Sequence, residues 1–263
     1  MSYLEKLFSL QGKTALITGA AGGIGSALAE ALYNAGATVA LCDINAEALN
    51  ALKQKFGENA HVYALDMASP ATFMPICDDI AKINNCIDVL INCAGINKRE
   101  GMVDVEEATY DRIMDINLKG VFFLSTAVAV YMKEQKCGSI INIGSHNTGA
   151  ILGGVSVYGA SKSGVVSLTR SMAIEWAKYN IRANCISPGH IKTELTTATW
   201  EHPERSKYLL ERIALARPGK PEDIAGLTIL LASDASSYIT GEEFRIDGGC
   251  IAGGQPWQYD TKF

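Results

Sequence analysis

The sequence predicts an α/β fold, a doubly wound parallel sheet with helices on both faces. Three features point to it. Short apolar runs recur along the chain and stay apolar at successive positions rather than alternating, as strands covered on both faces must. Segments of helical character separate those runs, the order that winds a parallel sheet. The first run ends in a glycine-rich turn that opens a helix, and the second ends at an aspartate about twenty residues further on.

The first run, residues 13–18, leads into Gly19-Ala20-Ala21-Gly22-Gly23-Ile24-Gly25, with a helix over 26–33. Strand, glycine turn and helix make a phosphate-binding unit. Gly19 suits the tight turn, Gly23 lets backbone approach a pyrophosphate, and Gly25 lets the helix lie close on the sheet. An ordinary strand-to-helix loop is the plainer reading. Residues 37–42 form the second run and end at Asp43, placed to accept from ribose hydroxyls and to repel a 2′-phosphate. No arginine follows it, so NAD is expected over NADP; the same residue could also cap the helix beginning near Asn45.

The third run, 61–65, ends at Asp66-Met67, a helix covers 71–83, and the fourth run, 87–93, ends at Asn92-Cys93-Ala94-Gly95. Ligands of such sheets bind at the carboxyl ends of the strands, where Gly19, Asp43, Asp66 and Gly95 all fall. A long helix over 106–132 carries Asn117 in its middle, an unfavourable place for asparagine. The amide either serves the site or bonds a neighbouring backbone. The fifth run, 139–143, exits at Gly144-Ser145-His146, which puts Ser145 on the same edge.

A helix over 155–179 carries Tyr158 and Lys162, which share one face. If that face looks into a cleft, the ammonium favours the phenolate and the tyrosine becomes a general acid/base. Otherwise the pair is a packed tyrosine and a solvated lysine. The sixth run, 182–187, is followed by Pro188-Gly189-His190-Ile191-Lys192-Thr193, a turn expected to close over a ligand. The polar stretch to 216 then reads as a lid, at about 190–216. A helix over 221–232, a last strand over 243–246 and a tail over 250–263 with Trp257 and Tyr259 complete the chain, the tail being expected to pack on something such as a neighbouring subunit.

At 263 residues, with 48% apolar and 19% charged residues, one soluble globular domain over 1–263 is expected. A net charge of −5 and the lack of a lysine/arginine cluster exclude a phosphate-backbone footprint, so no nucleic-acid partner is expected. The seven cysteines, an odd number without Cys-x-x-Cys or Cys/His ligand spacing, read as buried thiols of a reducing compartment, with no metal. The first residues lack the basic start and apolar core of a signal peptide, and the apolar run 121–132 is far shorter than the roughly 20 residues that span a bilayer. A cytoplasmic protein without membrane partners is expected.

These motifs together resemble the short-chain dehydrogenase/reductase family over residues 10–249. Thr18-Gly19 with Gly23-Ile24-Gly25 is similar to its nucleotide turn, and Asn92-Cys93-Ala94-Gly95 to its Asn-Asn-Ala-Gly element, with Cys93 replacing the second asparagine. Asn117, Ser145, Tyr158 and Lys162 fall at its catalytic tetrad, and the segment from Pro188-Gly189 to Thr193 resembles its cofactor-closing segment. The resemblance implies a Rossmann-type NAD(P) domain that exchanges hydride between a nicotinamide cofactor and a secondary alcohol or ketone. Tyr158 would move the hydroxyl proton and Lys162 would bind the nicotinamide ribose. Ser145 would hold the substrate oxygen, and Asn117 would keep a relay water. Asp66 and Met67 would lie at the adenine, with Ile191 and Thr193 at the carboxamide.

Within the family the chain looks most like polyol and sugar-acid dehydrogenases, of the gluconate 5-dehydrogenase and 2-deoxy-3-ketogluconate dehydrogenase kinds. His146, Asn147 and His190 could pair with substrate hydroxyls; His146 could equally be a loop histidine bonded to backbone. A 3-oxoacyl carrier-protein reductase and a cofactor-sensing binding protein are the competing readings. Asp43 opposes the first and the intact tetrad the second. The resemblance also implies a homotetramer, assembled through the helices bearing Asn117 and Tyr158.

Overall fold

The apolar runs become β1 (Thr14–Thr18), β2 (Thr38–Asp43), β3 (Ala60–Ala64), β4 (Val89–Asn92), β5 (Gly138–Ile143), β6 (Ile181–Pro188) and β7 (Glu243–Ile246). The computed structural model describes residues 2–254; the tail expected to pack on a neighbour, with Trp257 and Tyr259, lies largely outside the described residues. All seven strands are parallel, in the order β3-β2-β1-β4-β5-β6-β7. The winding reverses between β1 and β4, and this switch point opens a crevice at the carboxyl ends.

Successive strand residues point to opposite faces, and both faces are covered. Ala15 and Ile17 of β1 enter one core cluster, Leu16 between them the other; Val39 and Leu41 of β2 divide from Ala40 and Cys42 in the same way. That double burial is why the strands read as unbroken apolar runs, each large side chain contributing about 1.5–3 kcal/mol. The chain begins with α1 (Tyr3–Phe8). The first face is covered by α2 (Gly23–Asn34) and α3 (Ala46–Phe56), joined later by the last helix. α4 (Phe73–Ala81) lies on the second face.

The single long helix expected over 106–132 is interrupted. It runs as α5 (Glu107–Met114), one π-helical turn over Asp115–Lys119, and α6 (Gly120–Gln135). Asn117 sits within this π-turn, of the single-turn kind often found at functional sites. By length and composition the stretch Glu107–Gln135 could cross a membrane, with 56% of its most apolar part buried in this fold. Here α6 packs beside α4 and against α7 (Ser156–Trp176), which completes the second layer.

The polar stretch expected as a lid is helical in part, with α8 (Thr197–Glu201) and α9 (Pro203–Leu210), the latter opened by a proline whose fixed φ suits a first helical turn. α10 (Ala225–Ala232) then packs on α2.

Candidate active site

The glycine turn after β1 is a backbone crossing that side chains would block. Gly19 has φ +66°, and a Cβ there would stand 2.8 Å from the Ala94 Cα, where the exits of β1 and β4 meet. A Cβ on Gly25 would collide with the Gly19 carbonyl, and one on Gly23 would stand 3.0 Å from the Thr193 side chain. Ile24, between them, packs on the core. The N-cap of α2, Gly22, has no side chain to cap with, so the first amides of the helix remain for an anion. Thr18 Oγ1 accepts from the amides of Cys93 (3.1 Å) and Ala94 (3.2 Å), which locks the β4 exit to this turn.

Asp43 ends β2 as expected. Its carboxylate accepts from Ala21 N at 3.1 Å and Asn45 N at 3.0 Å, so it also shapes the turn it borders. The cap of α3 is Asn45, whose side chain accepts from Ala48 N at 3.1 Å. Asp66 and Met67 lie past the end of β3, Asp66 partly exposed and Met67 buried under Gly120. Asn92 is turned away from the crevice: it is 1% exposed, and its amide donates to Ser125 Oγ (2.9 Å) and Asn142 Oδ1 (2.8 Å). Any contact it makes with a cofactor is left to its main chain. Asn142 donates in turn to Thr169 on α7, so the sheet centre stays cross-linked with a cysteine at position 93.

Tyr158 and Lys162 share one face of α7, with the ammonium 5.9 Å from the tyrosine ring centroid. Lys162 is 3% exposed and donates to the Ile143 carbonyl at 2.7 Å, at the carboxyl end of β5. A Cβ on Gly95 would stand 3.3 Å from both Lys162 Nζ and Asn117 Oδ1, so these three residues converge. Asn117 is fully buried. It accepts from Ile96 N (2.9 Å) and donates to Ile96 O (2.9 Å) and Ser161 Oγ (3.2 Å). Its side chain clasps the β4 exit to α7, and that use of the amide explains an asparagine inside a buried helix. Ser145 is 5% exposed; its hydroxyl accepts from the Asn147 amide and side chain, both at 3.2 Å.

His146 and His190 face each other with ring centroids 4.4 Å apart, and Trp200 of α8 lies across His190 at 6.4 Å. Burial lowers both imidazole pKa values, that of His190 to about 4, where His146 and Arg99 add to the effect and Asp247 opposes it. Both rings are therefore neutral at pH 7. His146 Nδ1 and His190 Nε2 are buried without a hydrogen-bond partner. Pro188 and Gly189 close β6, with Gly189 N donating to Ile246 O at 2.8 Å; Ile191 is buried, and the Thr196 hydroxyl donates to its carbonyl at 2.9 Å. A cavity of about 200 Å³ lies behind this segment, lined by His190, Ile191, Ile213, Ile246 and Asp247 among others. Trp200 and Cys250 were missed in the sequence, because only the fold brings them beside the histidines.

An uncapped helix start at a glycine crossing that meets Ala94, with the buried Lys162 of the Tyr158 face beside the adjoining Gly95, suits a nicotinamide-dependent oxidoreductase of CH–OH groups. Residues 19–250 match the family model described as enoyl-(acyl carrier protein) reductase. The chain belongs to the short-chain dehydrogenase/reductase family. It is 40% identical to the 3-oxoacyl-[acyl-carrier-protein] reductase FabG of Thermotoga maritima, over 92% of this chain and 99% of that one. It is 38% identical to the 2-dehydro-3-deoxy-D-gluconate 5-dehydrogenase of Bacillus subtilis, over 96% and 100%. The solved gluconate 5-dehydrogenase of Burkholderia cenocepacia, in complex with NADP and tartrate, superposes with TM-score 0.91 at 35% identity, covering 95% of this chain and 100% of that one.

Proposed function

We propose that the chain oxidises a polyol, sugar or sugar acid at a secondary alcohol, and reduces the matching ketone, with NAD preferred over NADP. The observation that carries the substrate class is the polar edge beside Ser145, where two neutral histidines lie against each other and Asn147 orients the serine hydroxyl for a hydroxyl-rich molecule. The sugar-acid relatives support the same reading.

In the oxidation direction the Ser145 hydroxyl holds the substrate oxygen, and the Tyr158 phenolate takes its proton as the C–H bond breaks. A nicotinamide dinucleotide supplies the hydride acceptor when bound. Lys162 favours the phenolate and would bind the nicotinamide ribose, its ammonium held by the Ile143 carbonyl. Asn117 holds the loop carrying Gly95 and Ile96 against α7, and we assign it the relay water as well. Pro188, Gly189, Ile191 and Thr193 would close over the cofactor where the chain enters a lid at about 190–216 of a single domain.

Asp43 supports the cofactor preference. A second negative charge on the ribose about 4 Å away costs about 1–4 kcal/mol, depending on exposure. The 3-oxoacyl carrier-protein reductase reading stands second, favoured by the Thermotoga relative. A panel of polyols, aldonates, ketoses and a 3-oxoacyl thioester, run with both cofactors, separates them. NADH formation with a polyol or aldonate is expected, with NAD favoured over NADP by at least about tenfold in kcat/KM. Faster thioester reduction, or NADP preference, overturns the corresponding assignment.

A cytoplasmic homotetramer completes the proposal. Phe122, Phe123 and Tyr110 on the α5–α6 stretch and Ile174 on α7 are exposed apolar side chains, 82% in the case of Ile174. Light scattering is expected to give four times the 28.1 kDa chain mass. A monomer would contradict it.

A further inference from the structure

We propose that His146, His190 and Cys250 form a binding site for a divalent cation of the zinc class. One donor atom from each residue lies within 4.8 Å of the other two. The donors come from three neighbouring strand exits: His146 follows β5, His190 follows β6 and Cys250 follows β7. Parallel strands deliver their exits to one edge, so residues far apart in sequence converge without any local ligand spacing.

The second observation is the pair of imidazole nitrogens left without partners. His146 is 4% exposed, and its Nδ1, like the Nε2 of His190, is buried and unbonded. An orphaned buried polar atom is unfavourable, and one neutral imidazole lone pair per ring is what a metal takes. The carboxylate of Asp247 accepts from Gly249 N and Ile251 N, both at 2.9 Å, and so shapes the turn that presents Cys250. Its negative charge favours a cation here, against the positive charges of Arg99 near His190 and Arg212 near Cys250.

Two imidazoles and a thiolate suit zinc rather than magnesium or calcium, which demand oxygen ligands. Tetrahedral zinc places its nitrogen and sulfur donors about 3.3–3.6 Å apart, so the three side chains need to close by about an ångström. Three protein donors leave the fourth position for water or a small-molecule oxygen. His146 directly follows Ser145, which sets the cation at the substrate edge of the cleft.

The test is a titration of the full chain, stripped with a chelator, with Zn2+ by calorimetry and with Co2+ by absorbance. One Zn2+ per chain is expected, with a Kd tighter than about 10 µM. Co2+ is expected to show a thiolate charge-transfer band in the near ultraviolet, with tetrahedral bands in the visible. Cys250→Ser should abolish the charge-transfer band, and both Cys250→Ser and His190→Gln should weaken Zn2+ binding at least about tenfold. Circular dichroism of each variant establishes that it is folded, and the two substitutions test the site from separate loops. Cys86→Ser, remote from the cluster, should leave binding intact. Weaker binding by the unaltered chain, or a site indifferent to both Cys250→Ser and His190→Gln, overturns the proposal.

Discussion

Tyr158→Phe is expected to lower turnover by about a hundred- to ten-thousand-fold, the usual contribution of a positioned acid/base group. Phenylalanine keeps the ring that packs at the start of α7 and removes only the hydroxyl. That hydroxyl makes no hydrogen bond within the described residues, so its loss orphans no buried partner. Stability and dinucleotide affinity should therefore hold, the latter because the glycine crossing and Asp43 lie on the far side of the switch point. Steady-state rates paired with a fluorescence titration of the dinucleotide check both halves. A rate within a few-fold of the parent would remove Tyr158 from the chemistry; joint loss of rate and affinity would make it a binding residue instead.

The strands were legible because double burial leaves an unbroken apolar run, a signal that does not depend on knowing the partner strand. All seven runs became strands, with boundaries shifted by a few residues at most. Gly19, Asp43, Gly95 and Ser145 were legible for a related reason, since each follows directly from the end of such a run. Asn117 marks the limit of this kind of reading. Its oddity in a helix was visible, but its bonds to Ile96 and Ser161 depend on where β4 and α7 come to lie. Asn92 shows another limit: its place at a strand end was visible, but the alternation of the strand turns its side chain into the network with Ser125 and Asn142, leaving its main chain at the crevice edge. The helices α8 and α9 were hidden because they bury little, so no strong apolar stripe marks them, although Pro203 offered a start signal. The histidine pair and Cys250 had no sequence signal at all, being joined only by the parallel order of three strands.

Lys162→Met is expected to separate activity from stability. The ammonium is 3% exposed and faces the Ile143 carbonyl rather than a carboxylate. A buried ion held this way loses several kcal/mol of hydration and recovers one hydrogen bond to the Ile143 carbonyl. Methionine has similar length, is unbranched and carries no charge, so it fills the same channel beside Gly95 without the desolvation cost. Against that, Ile143 O loses its donor, which costs about 1–3 kcal/mol. The two effects are of opposite sign and similar size, so the unfolding free energy should stay level or rise, while turnover should fall at least about a hundredfold once the phenolate loses its neighbouring charge. Denaturant melts beside steady-state rates give the comparison. A variant that loses both activity and several kcal/mol of stability would mean that Lys162 serves the fold, and a variant that keeps its turnover would mean that the charge is not what activates Tyr158. A stable, inactive Lys162→Met protein is the signature of a charge held in the core against its own solvation for the sake of the reaction.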